Sequence, residues 1–348
     1  MLSAVVRLAL GYHHSMVVKQ DGSVWGTRMN SPGVGKRFTQ LISGHARAVA
    51  AGNGYSLAIK EDGTLWGMGR NSRGQLGLGS KEKKDSFVIV EGISGAKAVA
   101  AGGSHSVLLT KTGHVFSTGW NKYGQLGDAT AYYRSRFVVS MLTEVQDVAA
   151  GIYHSMGLKH DGSVWAVGGN CNGQLGDGSK TDRRTFVEVI SGGAIDISAG
   201  GYHSMVLKED GSVWVTGQNE YGQLGDGTTV DRASYVQVVS SEAKAIAAGR
   251  RHSMVLMQDG SVWATGYNEH GQLGNEWTTS SDTLMQVVPN GVKFVAAGAH
   301  HSMLLKEDGS IWATGSNKDG QFGDGSIKSK KAFVRINQFT NGKYSLVL

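Results

Sequence analysis

Six histidines recur at nearly constant spacing along the chain and are the first candidates for chemistry. They are His14, His105, His154, His203, His252 and His301, with Tyr55 at the place of a seventh. Imidazole nitrogens are common zinc ligands, so the series invites a metal site. Equivalent residues of a repeat lie one per unit, however, and converge on an ion only if they line a common axis. We therefore predict no metal site and expect each histidine to hold the backbone of the neighbouring unit by a hydrogen bond.

Motifs of the common enzyme classes are absent from the sequence. The chain has no Gly-x-x-x-x-Gly-Lys-Ser/Thr phosphate loop, no Gly-x-Ser-x-Gly nucleophile elbow, no His-Glu-x-x-His zinc motif and no EF-hand loop. The sequence therefore predicts a protein that is not an enzyme and has no catalytic residues. We also expect no cofactor.

Loop residues that differ between units are rich in aromatic, arginine and histidine side chains. Aromatic and arginine side chains give large contact area at small entropic cost and are enriched at protein interfaces. The candidate partner-binding residues are Tyr12, Arg73, Trp120, Tyr123, Tyr153, Tyr202, Tyr221, Arg250, Arg251, Tyr267, His270, Trp277 and His300. Because loops carry recognition while shared residues build the scaffold, we expect these residues to contact a partner.

A basic residue recurs nine positions beyond the glutamine of a Gly-Gln-Leu-Gly motif. The series is Lys84, Arg134, Arg183, Arg232 and Lys330, and Ser281 interrupts it. It predicts a basic rim on the same loop of five units. The alternatives stay open: a docking site for phosphate or an acidic protein, solvated charge at the rim, or a partner for neighbouring Asp182 and Asp231.

The elements that must position these residues follow from an internal repeat. The serine of an Ala-Gly-x-x-His-Ser motif recurs with spacings of 41, 50, 49, 49, 49 and 49 residues, at Ser15, Ser56, Ser106, Ser155, Ser204, Ser253 and Ser302. The sequence therefore predicts one domain, 1–348, of seven units. Their approximate bounds are 4–43, 44–93, 94–143, 144–192, 193–241, 242–290 and 291–348.

Each unit contains the pattern of four short strands. Runs such as Ser204–Lys208 and Ser212–Thr216 are dense in β-branched and large apolar residues and too short for independent helices. The Asp-Gly between such runs, as at Asp161-Gly162, predicts a hairpin turn in which both residues take positive φ. An alanine-rich strand precedes each pair and a bulkier one follows it, which matches the widening from axis to rim of a radial blade. We predict an all-β, seven-bladed propeller with four antiparallel strands per blade.

The first unit departs from this pattern and predicts an abbreviated first blade. Its segment Thr27–Gly33 lacks Gly-Gln-Leu-Gly, and the unit is shorter than the others. Two interpretations of ring closure stay open, because Gly342–Leu348 resembles an inner strand that either competes with Ala4–Leu10 or completes this blade. We expect the two termini to lie close together in both cases.

One register of every unit holds a large aromatic ring, and we predict that these rings pack between blades rather than bind a ligand or sense light. The residues are Trp25, Trp66, Phe116, Trp165, Trp214, Trp263 and Trp312. Trp120 and Trp277 fall outside that register, in loops, which favours an interface role for both.

The repeated residues resemble those of the regulator of chromosome condensation repeat family, whose units carry a similar order of glycine, His-Ser/Thr, Asp-Gly, Trp-Gly and Gly-Gln-Leu-Gly. Six Gly-Gln-(Leu/Phe)-Gly copies carry the resemblance over nearly the whole chain. It implies a seven-bladed β-propeller. The family includes an exchange factor for a small nuclear GTPase, a plant UV-B photoreceptor, ubiquitin-ligase modules and, with a related propeller, a bacterial β-lactamase inhibitor, so fold does not determine function.

Our leading hypothesis is a non-catalytic scaffold that binds partner proteins through loops on a propeller face. The resemblance implies an alternative, a guanine-nucleotide exchange factor or regulator for a small GTPase. A UV-B photoreceptor is disfavoured because the segment Gly249–Ser253 has no tryptophan where similar photoreceptor units carry one. An inhibitor of a secreted enzyme is disfavoured because the apolar N-terminal segment lacks the charged region of a signal peptide.

Composition narrows the partner classes. The formal net charge of +6 is a mild excess for 348 residues, so we expect protein partners, such as a small GTPase or a larger assembly, and no nucleic acid. A single cysteine, Cys171, excludes an internal disulfide and fits a reducing compartment, which favours an intracellular location, cytoplasmic or nuclear. No apolar run approaches the roughly 18 residues that a membrane span needs.

Overall fold

Seven four-stranded antiparallel sheets make up the computed structural model, which describes residues 5–27 and 37–339. In every sheet the strands pair in chain order, so each blade is a meander that runs from the axis to the rim. A single turn of 3₁₀ helix, Asn337–Phe339, follows the last strand. The prediction of an all-β, seven-bladed propeller with four antiparallel strands per blade is confirmed.

The strands of blades 1 to 4 are as follows. Blade 1 has β1 (Val5–Leu10), β2 (Ser15–Lys19), β3 (Val24–Gly26) and β4 (Thr39–Ile42). Blade 2 has β5 (Ala46–Ala51), β6 (Tyr55–Lys60), β7 (Leu65–Gly69) and β8 (Lys84–Ile89). Blade 3 has β9 (Ala96–Ala101), β10 (His105–Thr110), β11 (Val115–Gly119) and β12 (Arg134–Val139). Blade 4 has β13 (Val145–Ala150), β14 (His154–Lys159), β15 (Val164–Gly168) and β16 (Arg183–Ile190).

The strands of blades 5 to 7 repeat the same lengths closely. Blade 5 has β17 (Ala194–Ala199), β18 (His203–Lys208), β19 (Val213–Gly217) and β20 (Arg232–Val239). Blade 6 has β21 (Ala243–Ala248), β22 (His252–Met257), β23 (Val262–Gly266) and β24 (Ser281–Val288). Blade 7 has β25 (Val292–Ala297), β26 (His301–Lys306), β27 (Ile311–Gly315) and β28 (Lys330–Ile336).

The hairpin between the second and third strands lies where Asp-Gly predicts it, but the predicted turn type is wrong. In blade 4 the Gly162 amide donates to the Lys159 carbonyl, and the Lys159 amide donates to the Ser163 carbonyl. Gly162 has a φ of 78°, whereas Asp161 is not among the residues with positive φ. This is the type I turn followed by a left-handed glycine of three-residue hairpins, in which Asp161 instead accepts a hydrogen bond from the Ser163 amide.

The hydrophobic core is divided into seven clusters, and each lies between two adjacent blades. The cluster between blades 4 and 5, for example, joins Met156 and Leu158 to Ile197 and Val206. Rings of the predicted aromatic register pack against these clusters, which confirms their inter-blade role for Trp25, Trp66, Phe116, Trp165, Trp214 and Trp312.

Blade 1 is abbreviated as predicted, with three residues in β3 and four in β4. Val5–Leu10 forms its innermost strand, while Gly342–Leu348 lies outside the described residues. Blade 1 is fastened to blade 7 at the rim, where the Gln338 side chain both accepts from the Phe38 amide (3.0 Å) and donates to the Phe38 carbonyl (2.7 Å). Within residues 5–27 and 37–339, β1 and β28 belong to different sheets, and blades 1 and 7 meet through a shared hydrophobic cluster.

Candidate functional site

The repeated histidines form a buried ring of hydrogen bonds between blades. Each Nε2 lies 2.8–3.0 Å from the serine hydroxyl of the next blade, in the pairs His14–Ser56, His105–Ser155, His154–Ser204, His203–Ser253, His252–Ser302 and His301–Ser15. In the seventh position the Tyr55 hydroxyl donates to the His105 carbonyl. The predicted inter-blade bond is therefore present, but its partner at the six histidines is a side-chain hydroxyl and not the backbone.

The serines of the ring donate a second hydrogen bond to the preceding blade, which also carries the histidine. The Ser155 hydroxyl donates to the Gln125 carbonyl of blade 3 at 2.8 Å. Equivalent bonds to the preceding blade are Ser204–Gln174, Ser253–Gln223 and Ser302–Gln272. A hydroxyl has one hydrogen to donate, so a serine that donates it to a carbonyl must accept a hydrogen bond from the histidine. The histidines that face these serines therefore carry their proton on Nε2, and each closes a loop of hydrogen bonds between two blades.

The glycine of the Ala-Gly motif makes room for this imidazole. A Cβ on Gly151 would lie 2.2 Å from Cε1 of His154 and 2.5 Å from the Gly200 carbonyl oxygen of the next blade. The ring is fully enclosed, and burial lowers the pKa of His105 to about 4 and of His154 to about 3. The histidine ring is therefore neutral at physiological pH and structural in character.

The long loop between the third and fourth strands is organised by the asparagine of the Gly-x-Asn motif. In blade 4 the buried Asn170 accepts from the Leu175 amide at 3.0 Å and donates to Asp177 at 3.0 Å. Asp177 also accepts from the Ser179 amide, which holds the turn that follows the motif. These internal bonds hold the loop in one shape, so its outward side chains are presented from a rigid support.

The predicted basic rim residues are the first residues of the fourth strands. Three of them form ion pairs with the aspartate six positions earlier, each at 2.7 Å: Arg134–Asp128, Arg183–Asp177 and Arg232–Asp226. Pairing with Asp182 and Asp231, one of the open alternatives, is not observed for Arg183 and Arg232, whose partners are Asp177 and Asp226. The carboxylates of Asp182 and Asp231 accept instead from the backbone amides of Asn170 and Asn219. Although burial raises it, hydrogen bonds from Arg183 and Ser179 hold the pKa of Asp177 below its usual value.

The candidate partner-binding residues lie on the opposite end of the blades from the Asp-Gly hairpins, in the loops between strands one and two and between strands three and four. The two loop types touch, since the Trp120 amide donates to the Ser104 carbonyl and the Gly169 amide to the Tyr153 carbonyl. We call this end of the propeller the loop face.

Four aromatic residues from blades 3 to 5 meet on the loop face, and we call them the tyrosine arc. Trp120 lies 5.8 Å from Tyr123 and 5.0 Å from Tyr153, and Tyr153 lies 5.1 Å from Tyr123 and 5.6 Å from Tyr202, measured between ring centroids. The exposed Arg73 of blade 2 reaches the Trp120 ring at 5.7 Å. Edge-to-face packing of this kind holds the rings in place while leaving apolar edges at the surface.

A second group from blades 5 to 7 consists of Tyr221, Tyr267, His270 and His300, and we call it the histidine arc. Tyr267 is the hub: its ring centroid lies 4.9 Å from that of Tyr221 and 5.9 Å from that of His270. The His270 and His300 rings are 4.8 Å apart. Burial lowers the pKa of His270 below its usual value.

Arg250, Arg251 and Tyr12 occupy the centre of the loop face. Tyr12 and Arg250 line the mouth of the axial channel together with Gly103, Ile152, Gly201 and Ala299. The Arg250 guanidinium lies 5.6 Å from the Tyr12 ring, and the Arg251 guanidinium lies 4.8 Å from the Tyr221 ring. Burial raises the pKa of the Tyr12 hydroxyl, which stays protonated and can donate a hydrogen bond.

The structure does not bring every predicted residue into these groups. Trp277 is 67% exposed in the blade 6 loop and makes no ring contact with either arc, Lys84 pairs with Glu82, and Lys330 has no ion pair within the described residues. Tyr133 was not predicted, yet its hydroxyl accepts from Nε1 of Trp120 at 2.8 Å. Its position just before Arg134 is the only sequence signal for it.

Two negative findings apply to the described ranges 5–27 and 37–339. They contain no group of three or more histidine, cysteine, aspartate or glutamate side chains placed to hold a metal ion. In the same ranges, no helix has the length and apolar character that crossing a membrane requires.

Comparisons with known proteins agree with this geometry. The family model of the RCC1-like domain matches residues 1–290, and the model of the regulator of chromosome condensation (RCC1) repeat matches residues 292–321. No curated protein sequence matches the chain. Among solved structures, human WBSCR16 is similar with a TM-score of 0.79 and 23% identity, over 89% of this chain and 88% of that one.

Two yeast structures are similar as well. Prp20p from Saccharomyces cerevisiae, whose binding to Gsp1p and histones is described with its structure, has a TM-score of 0.75 and 19% identity, over 91% of this chain and 84% of that one. The structure of Kap60 bound to yeast RCC1 (Prp20) has a TM-score of 0.75 and 21% identity, over 86% of this chain and 78% of that one. At these identities the likeness concerns the fold.

Proposed function

Because the chain belongs to the RCC1-like domain family, as its repeated residues predict, we propose that it is a non-catalytic platform that binds a partner protein through the loop face. One observation carries the proposal: aromatic side chains from five successive blades cluster around two arginines at the centre of that face. Binding hot spots are enriched in tryptophan, tyrosine and arginine near the centre of an interface.

The rigidity of the loop face supports the same function. Trp120 and Tyr153 stand on loops whose backbones are held by hydrogen bonds to neighbouring loops, so little conformational entropy is lost when a partner orders them. The described binding of Prp20p to Gsp1p and histones is a precedent for protein recognition by this fold. The free, exposed Cys171 fits a reducing compartment, so we propose that the protein works in the cytoplasm or nucleus.

Site-specific photo-crosslinking in an extract of the native cells tests this proposal. A benzophenone amino acid replaces Tyr123 on the loop face or, as the control, His160 in an exposed hairpin at the opposite end. We expect a discrete adduct only from position 123, which excess parent protein suppresses and excess W120A/Y153A protein does not. Equal adducts from both positions, or equal competition by the variant, would refute the proposal.

A second candidate is guanine-nucleotide exchange on a small GTPase, which the structural likeness to Prp20p favours. Purified small GTPases loaded with fluorescent nucleotide distinguish the two functions. A pure binding platform leaves the rate of nucleotide release unchanged. Release that accelerates with the concentration of this protein would establish exchange in its place.

A further inference from the structure

Arg250 and Arg251 are adjacent in the loop between β21 and β22, and their backbone is fixed from both sides. The Gly201 amide of blade 5 donates to the Arg250 carbonyl at 3.2 Å, and the Arg250 amide donates to the Gly298 carbonyl of blade 7 at 3.2 Å. The Arg251 carbonyl accepts from the Tyr267 amide at 2.8 Å. The backbone of both residues is therefore held by hydrogen bonds, and Arg250 lines the channel mouth.

Both guanidinium groups lack an anionic partner. Across residues 5–27 and 37–339, neither arginine forms an ion pair, and the Nε atom of each is buried without a hydrogen-bond partner. Arg134, Arg183 and Arg232 at the rim each have an aspartate. An arginine offers five N–H donors, and leaving a half-buried charge uncompensated is unfavourable. The centre of the loop face is thus prepared for an anion that the chain does not supply.

The side chains around the two arginines are neutral or already hydrogen-bonded. Burial and the neighbouring His270, Arg250, His13 and Arg251 lower the pKa of His300 to about 4. The nearby carboxylates are engaged, since Asp319 lies 3.0 Å from His13 and Glu269 accepts from the Tyr267 hydroxyl at 2.5 Å. An anion placed here would therefore interact chiefly with the two arginines.

We propose that Arg250 and Arg251 anchor a carboxylate side chain from an acidic segment of the partner protein. This inference rests on the proposed binding function and names the chemistry of the partner. Single-stranded nucleic acid needs free ring faces and a cationic groove along its backbone. Here Arg250 lies over Tyr12 and Arg251 over Tyr221, and the cationic groups form a compact patch. The geometry therefore favours an acidic protein segment.

Fluorescence anisotropy with defined probes tests the anchor. The probes are a labelled peptide of alternating glutamate and glycine, its glutamine counterpart, and an oligouridylate of equal charge, at low ionic strength. We expect the glutamate peptide to bind and the glutamine peptide to bind at least about tenfold more weakly, or about 1.4 kcal/mol. The variant R250Q/R251Q should bind the glutamate peptide with about tenfold lower affinity.

The control variant K244Q/R335Q removes the same charge from exposed residues at the opposite end of the blades and should retain parent affinity. R250K/R251K, which keeps the charge without the planar fork, should bind between the parent and R250Q/R251Q. Unchanged thermal unfolding shows that each variant is folded. Equal losses in both glutamine variants, preferential binding of the oligouridylate, or no binding of the glutamate peptide would each overturn the anchor.

The anchor and the proposed function fail separately. In one outcome, the crosslink at position 123 persists in R250Q/R251Q and the glutamate peptide binds this variant as tightly as the parent. That outcome overturns the anchor and leaves the proposed binding function intact. Arginine-dependent peptide binding without any protein crosslink on the loop face overturns the platform and leaves an isolated anion site.

Discussion

The histidine ring and the loop face are adjacent in sequence and differ in almost every physical respect. Tyr153 and His154 are consecutive, yet the Tyr153 ring stands in the tyrosine arc while His154 is enclosed and bonded to Ser204. Successive side chains at the start of a strand point in opposite directions, so one position serves the scaffold and its neighbour serves the surface. The ring repeats in every blade, whereas the loop face differs from blade to blade.

The difference lies in where each group finds its partner. In the ring, each histidine Nε2 bonds to a serine in the next blade, and five of the seven serines donate to a carbonyl in the previous blade. On the loop face, Arg250 and Arg251 lack ion pairs within the described residues, and the arcs retain half-exposed rings. A buried group that is hydrogen-bonded within the fold stabilises it, while a half-buried charge without a partner in the chain is available to a second molecule. Perturbing the ring should therefore affect stability, and perturbing the face should affect binding.

Acidification should give the largest effect, and it acts through the ring. Burial lowers the pKa of the six ring histidines to about 3 or 4, whereas the unfolded chain protonates them below about pH 6.5. Their contribution is thus constant above that pH, and the free energy of unfolding falls below it by about 1.4 kcal/mol per histidine per pH unit. Asp196, whose pKa burial and Asp147 raise to about 7, opposes this, and so does Asp147, whose pKa burial also raises.

Urea unfolding between about pH 7.5 and pH 5 measures this slope. His203→Tyr, which copies the Tyr55 arrangement of blade 2, should reduce the slope by the share of one histidine. His160→Gln, in an exposed hairpin, should leave it unchanged. If the slope is the same in all three proteins, the ring is not the source of the acid sensitivity.

Truncating one ring histidine should give the next largest effect. His203→Ala empties a fully buried site between blades 5 and 6 and removes the donor to Ser253, so we expect a loss of about 3 kcal/mol in the free energy of unfolding. His203→Tyr should lose under about 1 kcal/mol, because a tyrosine fills the equivalent site in blade 2. Urea denaturation at neutral pH measures both, and equal losses would contradict the role of the ring.

Adding a methyl group between blades should have a smaller effect. Gly127 has a φ of 66°, and a Cβ there would lie 2.5 Å from Cε2 of Phe186 in the next blade. Gly193 has a φ of 76° with no atom within 4 Å of such a Cβ. We expect Gly127→Ala to cost about 2 kcal/mol and Gly193→Ala about 1 kcal/mol, the latter from backbone strain alone. Thermal unfolding compares the two, and matching values would show that Phe186 yields freely.

Truncation on the loop face should change stability least. Tyr123→Ala removes a partly exposed ring from the tyrosine arc, and we expect under about 1 kcal/mol in the free energy of unfolding. The same variant should compete poorly for the adduct formed by photo-crosslinking at position 123. A large loss of stability with unchanged competition would assign the arc to the scaffold and remove the contrast between the two regions.

Much of the scaffold was predictable from the sequence because its signals are local. The serine spacing indicates seven blades, and the short apolar runs indicate their strands. The Asp-Gly pair marks the hairpin but not the turn type, because a left-handed glycine serves both two- and three-residue hairpins. The ion-pair partner of Arg183 could not be identified from the sequence, because Asp177 and Asp182 are both close to it. Only the folded loop shows that Asp182 accepts a hydrogen bond from the Asn170 amide.

The candidate site was predictable as a set of residue types and not as a constellation. Variable loops rich in tyrosine and arginine indicate an interface, and the tyrosine and histidine arcs contain most of those residues. Tyr133 was missed because its contact with Trp120 depends on how the loop folds back. The separation of Trp277 from both arcs was not predictable for the same reason, since no local sequence feature determines the direction of a side chain at an exposed loop tip.

The sequence by itself determined the number of blades, the order of their strands and the aromatic and basic character of the loop face, because periodicity, glycine placement and side-chain type are local properties of the chain. Only the tertiary structure decided that Arg250 of blade 6 reaches the Tyr12 ring of blade 1 and that the Ser15 hydroxyl is hydrogen-bonded to His301. Those contacts join distant parts of the chain, and their distances exist only once the seven blades have closed into a ring.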